Sequence, residues 1–172
     1  MRKLIIVFIL ICFLFIAPIA RAESSYVLPY PSAMPGSPWY KLDQIKELLM
    51  RYWYFGDFGQ FEYNLQQSDK YLVESKTLFE YKQYLLGYQA LIKSDSFFKK
   101  IPNSLLSASK NNKDIKEKST ILAEASDKHI EELEKMKSAV PKTFIWTPEK
   151  DKPTSLNLEE SINNSIHIRS NL

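Results

Sequence analysis

Residues 57–80 read DFGQFEYNLQQSDKYLVESKTLFE, and their spacing decides the fold. Phe58, Phe61, Leu65, Leu72 and Phe79 recur at three, four and seven residues, the period of a helix with one apolar face. Ser68 and Ser75 fill the gaps on that face, which predicts a neighbouring helix close enough that only small side chains fit. Asp57 and Gln60 form a capping-box pattern at the start, and Glu80 to Gln83 is the expected turn.

Downstream, Tyr84, Leu85, Tyr88, Leu91, Ile92 and Phe98 predict a second amphipathic helix. Pro102 kinks or ends it, Asn103 to Ala108 adds a turn or two, and Asn111-Asn112 marks a loop. A further helix begins near Asp114, with Glu117 completing a capping box, and stops at Pro141. Its seam is Ile115, Leu122, His129 and Met136 at intervals of seven, paired with Ala125, Leu133 and Val140. Upstream, Ser37 suits an N-cap and Pro38 a first helical position. Leu42, Ile45, Leu49 and Tyr52, with Leu48 beside them, then define an apolar face, and Gly56 can close that helix in the left-handed region.

These four segments over 38–141 predict an all-α protein, with an up-down helical bundle of about four helices as the simplest architecture. Residues 23–37 are expected to be extended, because Pro29, Pro31, Pro35 and Pro38 each remove a donor and bias the preceding residue away from helix. Tyr26, Val27, Leu28, Tyr30 and Met34 are too apolar for a solvated linker. The segment reads as a strap with buried side chains, so that Tyr30→Ala would cost about 3–5 kcal/mol. Residues 142–172 are rich in Pro, Lys, Ser, Thr and Asn. They are expected to be disordered apart from an amphipathic turn or two at Leu158, Ile162 and Ile166.

The first 22 residues read as a signal peptide. Arg2 and Lys3 precede an unbroken apolar run from Leu4 to Ile16, Pro18 ends it, and Ala20-Arg21-Ala22 supplies small residues for cleavage after Ala22. The run is short for a membrane-spanning helix, and an uncleaved signal anchor is the alternative. Cys12 lies inside the run, behind bulky Ile11, which argues against lipoprotein processing. Removal of this segment takes Lys and Arg from 23 to 20, against 20 Asp and Glu, and removes the single cysteine. A neutral exported chain without a clustered positive surface is not expected to bind nucleic acid, and disulfides would play no part in its stability.

The stretch Tyr26-Val27-Leu28-Pro29-Tyr30-Pro31, continuing through Pro35, Pro38 and Tyr40, resembles one bacterial family. Its members carry a signal peptide, a Y-V-L-P-Y-P-G strap and several helices. They are catalogued as a domain of unknown function, common in bacteria with reduced genomes. The likeness continues through Gln67 to Leu72, Gly87 to Ile92 and Lys128 to Glu131, while Ser32 replaces the usual glycine. The resemblance implies an exported helical protein and no activity.

No motif specifies chemistry. His129 with Glu132 offers two metal ligands where three or four are needed, and its seam position suits a buried neutral histidine, for which Leu is expected to substitute without loss. Glu131 and Glu132 face different ways, Glu74 and Glu80 are no better placed, and no phosphate loop or nucleophile elbow occurs. No cofactor is implied. Trp39, Tyr40, Tyr52, Trp53, Tyr54, Phe55, Phe58, Phe61 and Tyr63 crowd one corner, and successive residues cannot all face one core. The plainer expectation is a core covered by the strap. The sharper one is a binding platform at Trp39, Tyr52, Trp53, Tyr54 and Phe55. The leading function is thus a non-enzymatic extracytoplasmic helical module for envelope-associated protein interaction. A small-ligand or glycan-binding domain using the aromatics near Trp39, Trp53 and Phe58 is the alternative, and membrane contact is expected only if the leader is retained.

Overall fold

The computed structural model describes residues 25–150 and 152–171; the leader with Ala20 and Ala22 lies outside the described residues. The chain is mostly helical, with α1 (Pro38–Trp53), α2 (Gly56–Glu80), α3 (Tyr84–Phe98), α4 (Ile101–Lys110) and α5 (Lys116–Ala139). Two strands, β1 (Thr143–Trp146) and β2 (Thr154–Asn157), and then α6 (Leu158–Ser170) complete the order.

α2 is the spine, and Tyr71 through Ser75 are all buried, a run that no single helix face could supply. Its small residues let α3 come close, as their spacing predicts. Ser68 Oγ lies 3.2 Å from Ser94 Oγ, and Ser75 Oγ donates to the Gly87 carbonyl at 2.8 Å. Gly87 sits at the tightest point, where an added Cβ would lie 2.5 Å from Cδ1 of Phe79, a core ring. Gly87→Ala is therefore expected to destabilise by about 1–3 kcal/mol, the usual cost of overpacking, despite alanine's better helix propensity. A urea titration checks it; an unchanged midpoint would mean the Phe79 ring swings aside freely.

Two apolar clusters flank a polar layer. One gathers Leu72, Phe79, Leu91, Leu133, Met136, Leu156, Leu158 and Ile162. The other holds Phe61, Leu65, Phe98, Ile101, Leu105, Leu122 and Ala125. Along α2, α3 and α5 the break between them falls at Asp69, Ser94 and His129, all buried.

Three expectations are corrected. The described part of the tail, residues 142–150 and 152–171, is largely in regular structure: β1 pairs antiparallel with β2, from Thr143↔Asn157 to Trp146↔Thr154. Asn157 caps α6 by accepting from the Glu160 amide at 3.1 Å. Leu158 and Ile162 are wholly buried, and Arg169 is 1% exposed. Composition misleads here because α6 needs only one apolar stripe, and Arg169 extends that stripe while counting as polar.

Asp57 does not cap α2. Phe55 holds that position, and Gly56 turns the chain at φ +77°. The Asp57 carboxylate instead accepts from Ser107 Oγ at 2.7 Å, Asn111 Nδ2 at 2.8 Å and Lys113 Nζ at 3.0 Å. These bonds tie α2 to the end of α4 and hold its pKa down to about 2.

The strap is only half-buried, and of its first apolar residues Tyr26 and Leu28 alone turn in. Tyr26 donates to Asp69 Oδ2 at 2.6 Å and Leu28 packs on the first cluster. Val27 is 85% and Tyr30 97% exposed, and Pro29 and Pro31 are exposed beside them. Extended backbone sends successive side chains to opposite sides, which accounts for Val27 and Pro29 facing out, whereas Tyr30, on the side of Tyr26 and Leu28, is exposed all the same. The stability cost expected of Tyr30→Ala thus has no buried ring behind it.

Candidate functional site

α1 is an amphipathic helix turned inside out. Ser37 caps it by accepting from the Trp39 amide at 3.3 Å, and Pro38 occupies its first turn. Its apolar residues are strongly segregated, yet none of its residues is buried. Trp39, Leu42, Ile45, Leu48, Leu49, Tyr52 and Trp53 are each more than half exposed. At about 100° per residue they form a continuous arc of about half the helix circumference.

The polar side of α1 holds it to the body. Tyr40, Asp43, Glu47, Met50 and Tyr54, spaced three and four apart, are the half-buried residues. Tyr40 donates to Glu74 Oε1 at 3.1 Å, and burial, with Glu74 beside it, pushes the Tyr40 hydroxyl up to about 12. Lys70 of α2 pairs with both Asp43 and Glu47. Burial works against the Lys70 charge, but the two carboxylates outweigh it and raise its pKa. Tyr71 donates to Glu47 Oε2 at 2.8 Å, and burial followed by that bond drives its pKa upward. A cleft of about 460 Å³ separates the strap from α1, lined by Val27, Tyr30, Lys46, Met50, Gln67 and Lys70 among others.

A helix normally gains roughly 1.5–3 kcal/mol for each large apolar side chain it buries. α1 leaves most of that unclaimed and spends its polar groups on the body. The aromatic corner is correspondingly divided. Trp39, Tyr52, Trp53 and Phe55 face solvent, while Tyr54 turns in, its hydroxyl 3.3 Å from Gln66 Oε1. Phe61 enters the core and Phe58 is half-buried. The expectation of a core covered by the strap is overturned for the four outward rings.

The other concentration of chemistry is the polar layer. His129 is wholly buried and has both ring nitrogens engaged: Nε2 lies 2.7 Å from Asp69 Oδ1, and Arg169 Nε donates to Nδ1 at 2.9 Å. An arginine can only donate, so Nδ1 is the acceptor and the proton sits on Nε2, directed at Asp69. Burial lowers the His129 pKa, with Asp69 opposing and Arg169 reinforcing the shift. Arg169 also donates to Asp95 Oδ1 at 2.6 Å, to Ser94 Oγ at 2.8 Å and to the Ser165 carbonyl at 2.9 Å. A chain of hydrogen bonds thus runs from Tyr26 in the strap through Asp69, His129 and Arg169 to Asp95.

With its Nδ1 lone pair taken by Arg169, His129 has no free ligand position, and Glu132 points instead to Lys76 and Lys135. Among the described residues no group of three or more His, Cys, Asp or Glu is gathered to hold a metal ion. Asp69, Asp95 and Arg169 were not singled out by sequence. Asp69 had a signal, since it lies between Leu65 and Leu72 beside the seam residue Ser68. Arg169, three residues beyond Ile166, had one too.

Set against known proteins, the chain matches no family model, no curated protein and no solved structure. The outward face of α1 and the buried polar layer are therefore read from their own chemistry.

Proposed function

We propose that this chain is a non-enzymatic, extracytoplasmic helical module that docks onto a component of the cell envelope through the outward face of α1. The inversion of α1 carries the reading: Leu42, Ile45, Leu49 and Trp53 are exposed while Asp43 and Glu47 are turned toward the body. An apolar surface of this kind marks an interaction site. Export is supported by Arg2-Lys3, the Leu4–Ile16 run and Ala20-Arg21-Ala22, and kinship with the strap-bearing bacterial family by Tyr26 to Pro31. The up-and-down course expected of the helices belongs to the same reading. The fully engaged His129 supports a structural rather than catalytic polar layer.

Exposed aromatic faces also stack on sugar rings, and Trp39, Tyr52 and Trp53 favour glycan binding as the second reading. Fractionation of cells producing wild type and Leu42→Ser/Leu49→Ser tests both. The wild type is expected in the envelope fraction and the variant in the soluble exported fraction, with equal Tm because neither leucine is buried. Wild type that washes freely from the envelope would overturn the docking reading. Retention on purified cell-wall glycan, abolished by Trp39→Ala/Trp53→Ala, would put the glycan reading in its place.

A further inference from the structure

The outward side of α1 is segregated by charge as well as by hydropathy. All its cations, Lys41, Lys46 and Arg51, are exposed, whereas both its acids, Asp43 and Glu47, face Lys70. By helix geometry Lys41 and Lys46 fall near the two borders of the apolar arc. Trp39 stands at one end of the helix and Tyr52 and Trp53 at the other. What α1 shows to the outside is therefore apolar at the centre, cationic at the borders and aromatic at both ends.

From this pattern we infer that the occupant of the face is an anionic lipid bilayer, on which α1 lies flat at the headgroup boundary. The inference rests on the docking reading above and names its partner. Apolar side chains enter the acyl boundary, amphipathic rings sit at headgroup level, and bordering cations meet lipid phosphates. Sixteen residues give a helix about 24 Å long, and among the described residues no helix is long and apolar enough to cross a membrane. A second copy fits less well, because a two-fold contact would set Lys41, Lys46 and Arg51 against the same cations. A groove on another protein fits less well too, since lysine is depleted from protein interfaces. Tyr30 and Val27, exposed on the strap, add apolar surface outside the helix. This attachment needs no retained leader.

The test uses the exported form, residues 23–172, carrying Trp146→Phe, which removes the apolar leader and leaves Trp39 and Trp53 as the fluorescent reporters. It is titrated with vesicles of phosphatidylcholine, alone or mixed with phosphatidylglycerol. Mixed vesicles are expected to blue-shift the emission and co-sediment the protein, with an affinity that falls as salt rises. Lys41→Gln/Lys46→Gln/Arg51→Gln is expected to weaken that binding about a hundredfold, at roughly five-fold per cation. Leu42→Ser/Leu49→Ser, with an unchanged Tm, is expected to abolish the blue shift. Failure of the wild type to bind mixed vesicles overturns the lipid assignment. If it then still resides in the envelope fraction, the docking reading survives with another occupant; if it instead leaves the envelope and dimerises through Leu42 and Leu49 in light scattering, the face joins two copies and the docking reading falls as well. Equal binding to neutral and mixed vesicles also overturns the anionic assignment.

Discussion

Arg169→Ala is expected to lower stability by about 3–5 kcal/mol, because it leaves the half-buried Asp95 carboxylate without its cation and the buried His129 without its donor. Arg169 is among the largest fully buried side chains of the described residues, and its fork spans four partners: His129 Nδ1, Asp95 Oδ1, Ser94 Oγ and the Ser165 carbonyl. Its position near the end of α6 also makes it the latch of the segment that composition marks as disordered. Ser126 Oγ adds a second tie, donating to the Arg169 carbonyl at 2.6 Å. The loss is expected to show in two measurements. The urea midpoint falls, and proteolysis cuts between β1 and β2 at protease concentrations that spare the wild type. Arg169→Met keeps an apolar stem but loses the fork, including the guanidinium that lies over the Phe98 ring. It should lose nearly as much, because the cost lies in the unpaired partners rather than in lost packing. A variant as stable as wild type would mean that α6 is held by Leu158 and Ile162 alone.

His129→Leu reverses what the sequence expects of it. A histidine on an apolar seam invites leucine, but the structure gives this one an obligatory donor at Nδ1 and an acceptor at Nε2. Leucine leaves Arg169 Nε without a partner and takes one of its bonds from Asp69, which keeps that from Tyr26. The expected cost is about 3–5 kcal/mol, the range for breaking a buried charged network. The pH dependence follows from the downward shift of the His129 pKa. The folded protein keeps His129 neutral, while the unfolded chain takes up a proton below about 6.5. Stability is then full above that value and falls with acid, by up to about 1.4 kcal/mol per pH unit, until the lower folded pKa is reached. His129→Leu is expected to be less stable throughout and to lack that acid-side slope. Urea midpoints between pH 7.5 and 5 separate the two effects. A wild type whose midpoint rises as pH falls through 6.5 would mean that the histidine is protonated in the fold.

The helical segments were legible because burial imposes a period on apolar residues. Phe61, Leu65, Leu72 and Phe79, and Leu122, Leu133 and Met136, stand at helical spacing and all enter the core. Ser68 and Ser75 announced a close neighbour for the same reason: only small groups fit between packed backbones. Periodicity shows which residues share a side, not what lies against it. α1 has as clean an apolar stripe as any, and only the tertiary structure turned that stripe outward. Lys70 and Tyr71, on the neighbouring helix, take its carboxylates, and ion pairing between distant residues leaves no local mark in the sequence. The tail escaped for the converse reason. Its ordering comes from partners on α3 and α5, where Asp95, Ser94 and His129 make a buried place for Arg169 that no window around residue 169 contains.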